Sequence, residues 1–186
     1  MAPDQASDFR LIPGKNFPRY AYLPGRHPHP VRDPRGHSYL AQEPPMSVPI
    51  EAALSSESYR WGVDLFNHGY YWEAHEAWEP LWLAAKQSTP HLLFFKGLIL
   101  LAAAGVKIRE GKPTPARRHA GRAASLFRRV TGLQDREFRG AIGMSLPVLA
   151  DLAETAVGWT RVAGAATGSL PKPVFGFRLV PDEGRT

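Results

Sequence analysis

Cysteine is missing from the 186-residue chain. Its absence excludes disulfides, cysteine–zinc sites, iron–sulfur clusters and a thiol nucleophile, and it fits a reducing compartment. A charged leading stretch followed by an apolar run, the mark of a secretory signal, is also missing. The longest uncharged apolar run, Gly97 to Val106, is too short to span a bilayer. There is no glycine-rich dinucleotide fingerprint, and no Ser/His/Asp spacing suggests a triad. The run Gly105-Val106-Lys107-Ile108-Arg109-Glu110-Gly111-Lys112 imitates a phosphate loop. It is one residue too long, it is followed by Pro113, and it ends a helix instead of following a strand. What remains is a protein expected in the cytoplasm, with no membrane partner. Its length suits one domain with a real core, or one domain plus an appendage, and its 44% hydrophobic content rules out a wholly disordered chain.

The net charge is +6 and unevenly spread. Residues 51–90 carry six acidic and two basic side chains, whereas residues 91–140 carry three and eleven. Neighbouring helices of opposite sign would compensate one another; alternatively the basic segment meets an anion. Arg117, Arg118, Arg122, Arg128 and Arg129 share one helical face with no aromatics between them. That pattern fits a solvated face, and nucleic acid is not an expected partner.

Ten of the 18 prolines fall in residues 1–50. Proline removes a backbone donor and biases the residue before it toward extended geometry, so no helix survives that density. The segment also holds Tyr20, Tyr22, His27, His29, His37 and Tyr39, which a plain linker would not. It reads as an extended arm, residues 1–50, packing on a helical body, residues 51–165, with an extended tail at 166–186. Apolar spacing predicts a first helix from about Ile50 or Ser55 to Asn67, closed by Gly69 in the left-handed region. A second helix, from about Tyr70 to Ala85, follows at once as an antiparallel hairpin, with Pro80 inside it. A third, from about His91 to Glu110, is apolar nearly all round and therefore central. A fourth runs to about Val130, with Thr114 as N-cap and Pro115 at its first position, and Gly132 closes it. A fifth covers about Leu146 to Val162. The fold class is all-α, an antiparallel bundle of four to five helices.

The second helix is the most informative segment. At 100° per residue, Tyr71, Trp72, Trp78 and Trp82 form an aromatic arc facing the core, His75 and Glu79 fall inside it, Glu76 lies at its edge, and Glu73 points away. A buried charge is costly unless it is paired, hydrogen-bonded or bound to a metal. Side chains at i and i+4 can share an ion, and an imidazole–carboxylate pair suits zinc, manganese, iron or nickel. On that reading His75 and Glu79 are metal ligands, His29 and His37 of the arm (or His68) complete the set, and Glu76 is the catalytic base. The alternative is a buried structural network, with His75 and Glu79 bonded to each other, to tryptophan indoles, or to Lys96 and Lys107.

The stretch Phe66-Asn67-His68-Gly69-Tyr70-Tyr71-Trp72-Glu73-Ala74-His75-Glu76-Ala77-Trp78-Glu79-Pro80-Leu81-Trp82, followed by Phe95-Lys96-Gly97-Leu98-Ile99-Leu100-Leu101-Ala102-Ala103-Ala104, resembles the domain of unknown function 309 family over about residues 55–130. The resemblance implies a small helical bundle of bacterial or archaeal type, and a label of metal-dependent hydrolase that its members often carry. It also implies that Glu73, His75, Glu76 and Glu79 are the signature polar positions. Leu100 stands where the family often has glutamine. Two functions follow as expectations. One is a metal-dependent hydrolase of unknown small-molecule substrate, with a divalent cofactor such as zinc, manganese or nickel. The other is a non-catalytic interaction or homo-oligomerisation module.

Overall fold

The computed structural model describes residues 10–41, 48–155 and 171–181. Among these residues the regular structure is all helical: α1 Glu57–Asn67, α2 Tyr71–Ala84, α3 Thr89–Arg109, α4 Pro113–Gly132, α5 Arg136–Ile142 and α6 Leu146–Thr155. Two 3-10 turns, Ile50–Ser55 and Ala85–Gln87, precede α1 and extend α2. Consecutive helices pack as pairs, α1 on α2, α2 on α3 and α3 on α4, and α6 returns to α4. This is the expected all-α bundle.

Local chemistry sets the helix ends. The Ser56 side chain accepts from the Tyr59 amide and starts α1, so Ile50–Ser55 is a separate 3-10 turn rather than the helix's first turn. Gly69 and Gly111 take the left-handed conformation at φ 84° and 71° that releases the chain after α1 and α3. α4 begins at Pro113, one residue before the expected cap Thr114, because Pro113 has the φ that opens a helix and no N–H to leave unpaired. Gly132 is its last helical residue, and the left-handed position falls on Gln134 instead. α5 was not anticipated: Asp135 caps it by accepting from the Phe138 amide, and Phe138 and Ile142 bury its one apolar edge. The expected end of the last helix at Val162 lies outside the described residues.

α3 is the central helix. It is long and apolar enough to cross a bilayer, yet 72% of its apolar window is buried inside the protein. Lys96 interrupts its sequence, so the uninterrupted apolar run understated its length. α4 buries Ala116, Ala120, Ala123, Phe127 and Val130 and exposes Arg117, Arg118, Arg122 and Arg129, as its periodicity required.

The non-helical segments bind to α1 and α2. Both oxygens of buried Asp64 accept backbone amides of the arm, from Leu11 and Ile12, at 2.8 Å each. Phe17 stacks between Trp61 and Tyr70, with ring centroids at 5.4 and 5.0 Å. From the other end of the chain, the Leu179 amide gives to Asn67 Oδ1 at 2.8 Å and its carbonyl accepts from Asn67 Nδ2 at 2.7 Å. Phe175 stacks on Phe66 at 5.2 Å, and the Val174 amide gives to the Tyr71 hydroxyl at 2.7 Å.

Candidate metal centre

α2 turns Tyr71, Ala74, Trp78 and Leu81 fully into the core, and the Trp78 indole gives to the Tyr59 carbonyl at 3.2 Å. This buried stripe is rotated from the sequence expectation. Trp72 and Trp82 are only half-buried, so His75 and Glu79 lie on the flank of the core face and not in its middle. The helix edges α3 on one side and meets the arm on the other, and those neighbours decide which side chains are covered.

Along that flank one ligand atom from each of His75, Glu76 and Glu79 lies within 4.8 Å of the others. The i, i+1, i+4 spacing on a single helix is what brings them together. All three are half-buried. Burial, followed by the charges of Glu79 and Glu73, pushes the Glu76 carboxyl up to about 7. Burial also lowers His75, partly opposed by Glu79 and assisted by Lys96, which favours the neutral imidazole a metal requires.

Three of the partners that a structural network could use are engaged elsewhere, while His75 and Glu79 stay close enough for their charges to act on each other. Lys96 Nζ sits 3.9 Å from the centroid of the Trp82 ring, Lys107 pairs with Glu110, and the Trp78 indole is spent on Tyr59. Among the described residues no lysine or arginine lies within 4.0 Å of Glu76 or Glu79, so direct charge compensation from α3 and α4 does not occur here.

The arm histidines stand outside this group. His37 Nε2 lies 3.0 Å from Glu73 Oε1 and its Nδ1 2.9 Å from Ser38 Oγ, so both ring nitrogens are engaged. His29 packs edge-on to Trp72 at 5.7 Å, and its Nδ1 accepts from the Val31 amide at 3.3 Å. His68 Nδ1 bonds to the Asp64 carbonyl at 2.7 Å, at the end of its own helix.

Glu73 corrects the sequence reading most directly. It does not point into solvent; it is 6% exposed, because the arm lies over it, and its Oε1 accepts the Tyr22 amide at 2.8 Å. The periodicity of α2 carries no information about that cover. The signal available was the density of aromatic and histidine residues in the arm.

Residues 59–119 match the model of a family described as Domain of unknown function (DUF309). That segment, about a third of the chain, is similar to the DUF309 family. The DUF309 match runs from α1 through α2 and α3 into the first part of α4 and contains the whole His75/Glu76/Glu79 group. The arm, α5, α6 and the C-terminal segment lie outside it. No curated protein and no solved structure matches the chain.

Proposed function

We propose that this protein is a divalent-metal-dependent hydrolase centred on His75, Glu76 and Glu79. The observation that carries the reading is the convergence of one nitrogen and two oxygen donors within 4.8 Å on a half-buried face. Nearby carboxylates that lack cationic partners favour uptake of a cation. His75 and Glu79, one turn apart, are the ligand pair. A mixed N/O donor set suits zinc, manganese or nickel, and an open coordination position is the mark of a catalytic rather than a structural ion.

A divalent ion held there supplies Lewis acidity toward water and a polarisable substrate bond. Glu76 is the adjacent carboxylate whose proton affinity, raised to about 7, suits a general base near neutrality. The half-buried Trp72 and Trp82 side chains lie on the same helix. Lys96, held over Trp82, contributes a positive charge at its edge.

Elemental analysis by mass spectrometry tests the reading, on the unaltered protein and on His75→Ala and Glu79→Ala after incubation with zinc, manganese and nickel. Near-stoichiometric metal, lost in both variants while they stay folded, is the expected result and opens a screen of hydrolase substrates. Absence of metal from the unaltered protein overturns it. In that case the cluster belongs to an interaction module, and partner searches replace substrate screens.

A further inference from the structure

Among the described residues four buried side-chain atoms lack a hydrogen-bond partner: Arg10 Nε, Tyr59 Oη, His119 Nδ1 and Glu73 Oε2. The carboxylate oxygen is the costly one, since an unpaired charged acceptor carries the full desolvation penalty. Glu73 sits in the first turn of α2, on the opposite side of that helix from His75.

Its surroundings are rich in donors. No side chain caps α2, so its first amides have no side-chain acceptor. Arg109, at the C-terminal end of α3, reaches this helix start and gives one hydrogen bond, from Nη1 to the Gly69 carbonyl at 3.2 Å. Arg109 and Glu73 are near enough for their charges to act on each other, yet they are more than 4.0 Å apart and form no ion pair. His27 Nδ1 accepts the Leu23 amide at 3.2 Å, which leaves the ring proton on Nε2 as a donor. The Tyr70 hydroxyl is near enough to Glu73 and Arg109 for both charges to act on it. His27 and Arg109 are half-buried and Arg26 is exposed, so the group has an open edge.

One charged acceptor among several donors specifies the occupant. It must accept several hydrogen bonds and give one. We propose that the start of α2 binds a small oxyanion bearing one ionisable O–H, a phosphate group, with Glu73 Oε2 accepting that O–H. Arg109, His27, Tyr70 and the first α2 amides donate to the remaining oxygens. The helix dipole adds to the attraction. This site is independent of the His75 group.

Sulfate has the shape of phosphate but carries no proton near neutral pH, so it leaves Glu73 facing a second anion. The test is calorimetric titration of the full chain at constant ionic strength, at about pH 6.5, with EDTA present. The titrants are inorganic phosphate, phenyl phosphate and sulfate. Repetition on His75→Ala excludes anion held through a metal. Phosphate binding at least tenfold tighter than sulfate is expected. Glu73→Gln, whose amide can donate, brings sulfate within a few-fold of phosphate, and Arg109→Met weakens both. Tighter binding of phenyl phosphate identifies the phosphate of a larger molecule; tighter binding of inorganic phosphate identifies the free ion. No phosphate binding, or equal binding of sulfate by the unaltered chain, overturns the proposal without reference to any Glu73 variant.

Discussion

Glu73 and Glu76 lie one turn apart on α2 and meet opposite surroundings. Glu73 receives the Tyr22 amide and the His37 imidazole, whereas Glu76 is partly buried beside Glu79 and, among the described residues, forms no ion pair. The folded chain therefore keeps a proton on Glu76 up to about pH 7 that an unfolded chain releases above about 4.5. Stability linked to this group is greatest below the lower value and falls as pH rises through the window. His75, lowered by burial, works in the opposite sense below its ordinary value of 6.5. In the metal-free protein Glu76→Gln should raise stability more at pH 8 than at pH 5, by about 1–2 kcal/mol, in denaturant titrations. An equal gain at both values would show that Glu76 does not titrate in this window. Added zinc should reverse the ranking at pH 8, because the cation stabilises the charged carboxylate that glutamine lacks.

Successive helix pairs share one device, a glycine beneath an aromatic ring. A Cβ at Gly62 of α1 would stand 2.1 Å from Trp78 of α2, one at Gly105 of α3 2.6 Å from Tyr71 of α2, and one at Gly97 of α3 2.5 Å from Phe127 of α4. These rings are fully buried and cannot swing aside, so a methyl group forces helices apart. Gly105→Ala should cost about 1–3 kcal/mol in thermal or chemical unfolding. Gly121→Ala, with nothing within 4 Å of the new atom, should be neutral or slightly stabilising by helix propensity. The helices themselves were legible from the sequence. Long amphipathic or apolar periods marked α1 to α4, and proline and glycine marked their ends. α5 was not, because seven residues with two buried side chains hold too little periodicity; only Asp135, as a cap, announced it.

For the whole molecule, the His75/Glu76/Glu79 group was legible because one helix builds it. Glu73 was not, because its environment comes from residues about fifty positions earlier. Periodicity describes what an element does to itself, and long-range cover lies beyond it. The arm is held by two buried carboxylates, Asp64 and Glu73, that accept its backbone amides. Asp64→Ala removes the acceptor for Leu11 and Ile12 together. It should cost about 2–4 kcal/mol and make the arm cleavable by thermolysin ahead of Glu57 while the helical body persists. Retention of wild-type protease resistance would show that the aromatic stack on Phe17 suffices to hold the arm.

The pairing of Asn67 with Leu179 joins residues 112 positions apart. During synthesis α1 and α2 are complete well before residues 174–179, which cover them, exist. Phe66, Tyr71 and the Asn67 amide then wait uncovered, a ready patch for premature association. Completion of the fold thus waits for the synthesis of residues 174–179. Nascent chains stalled before residue 171 should bind chaperones more than chains that have released residues 174–179, although α1 to α4 are present in both.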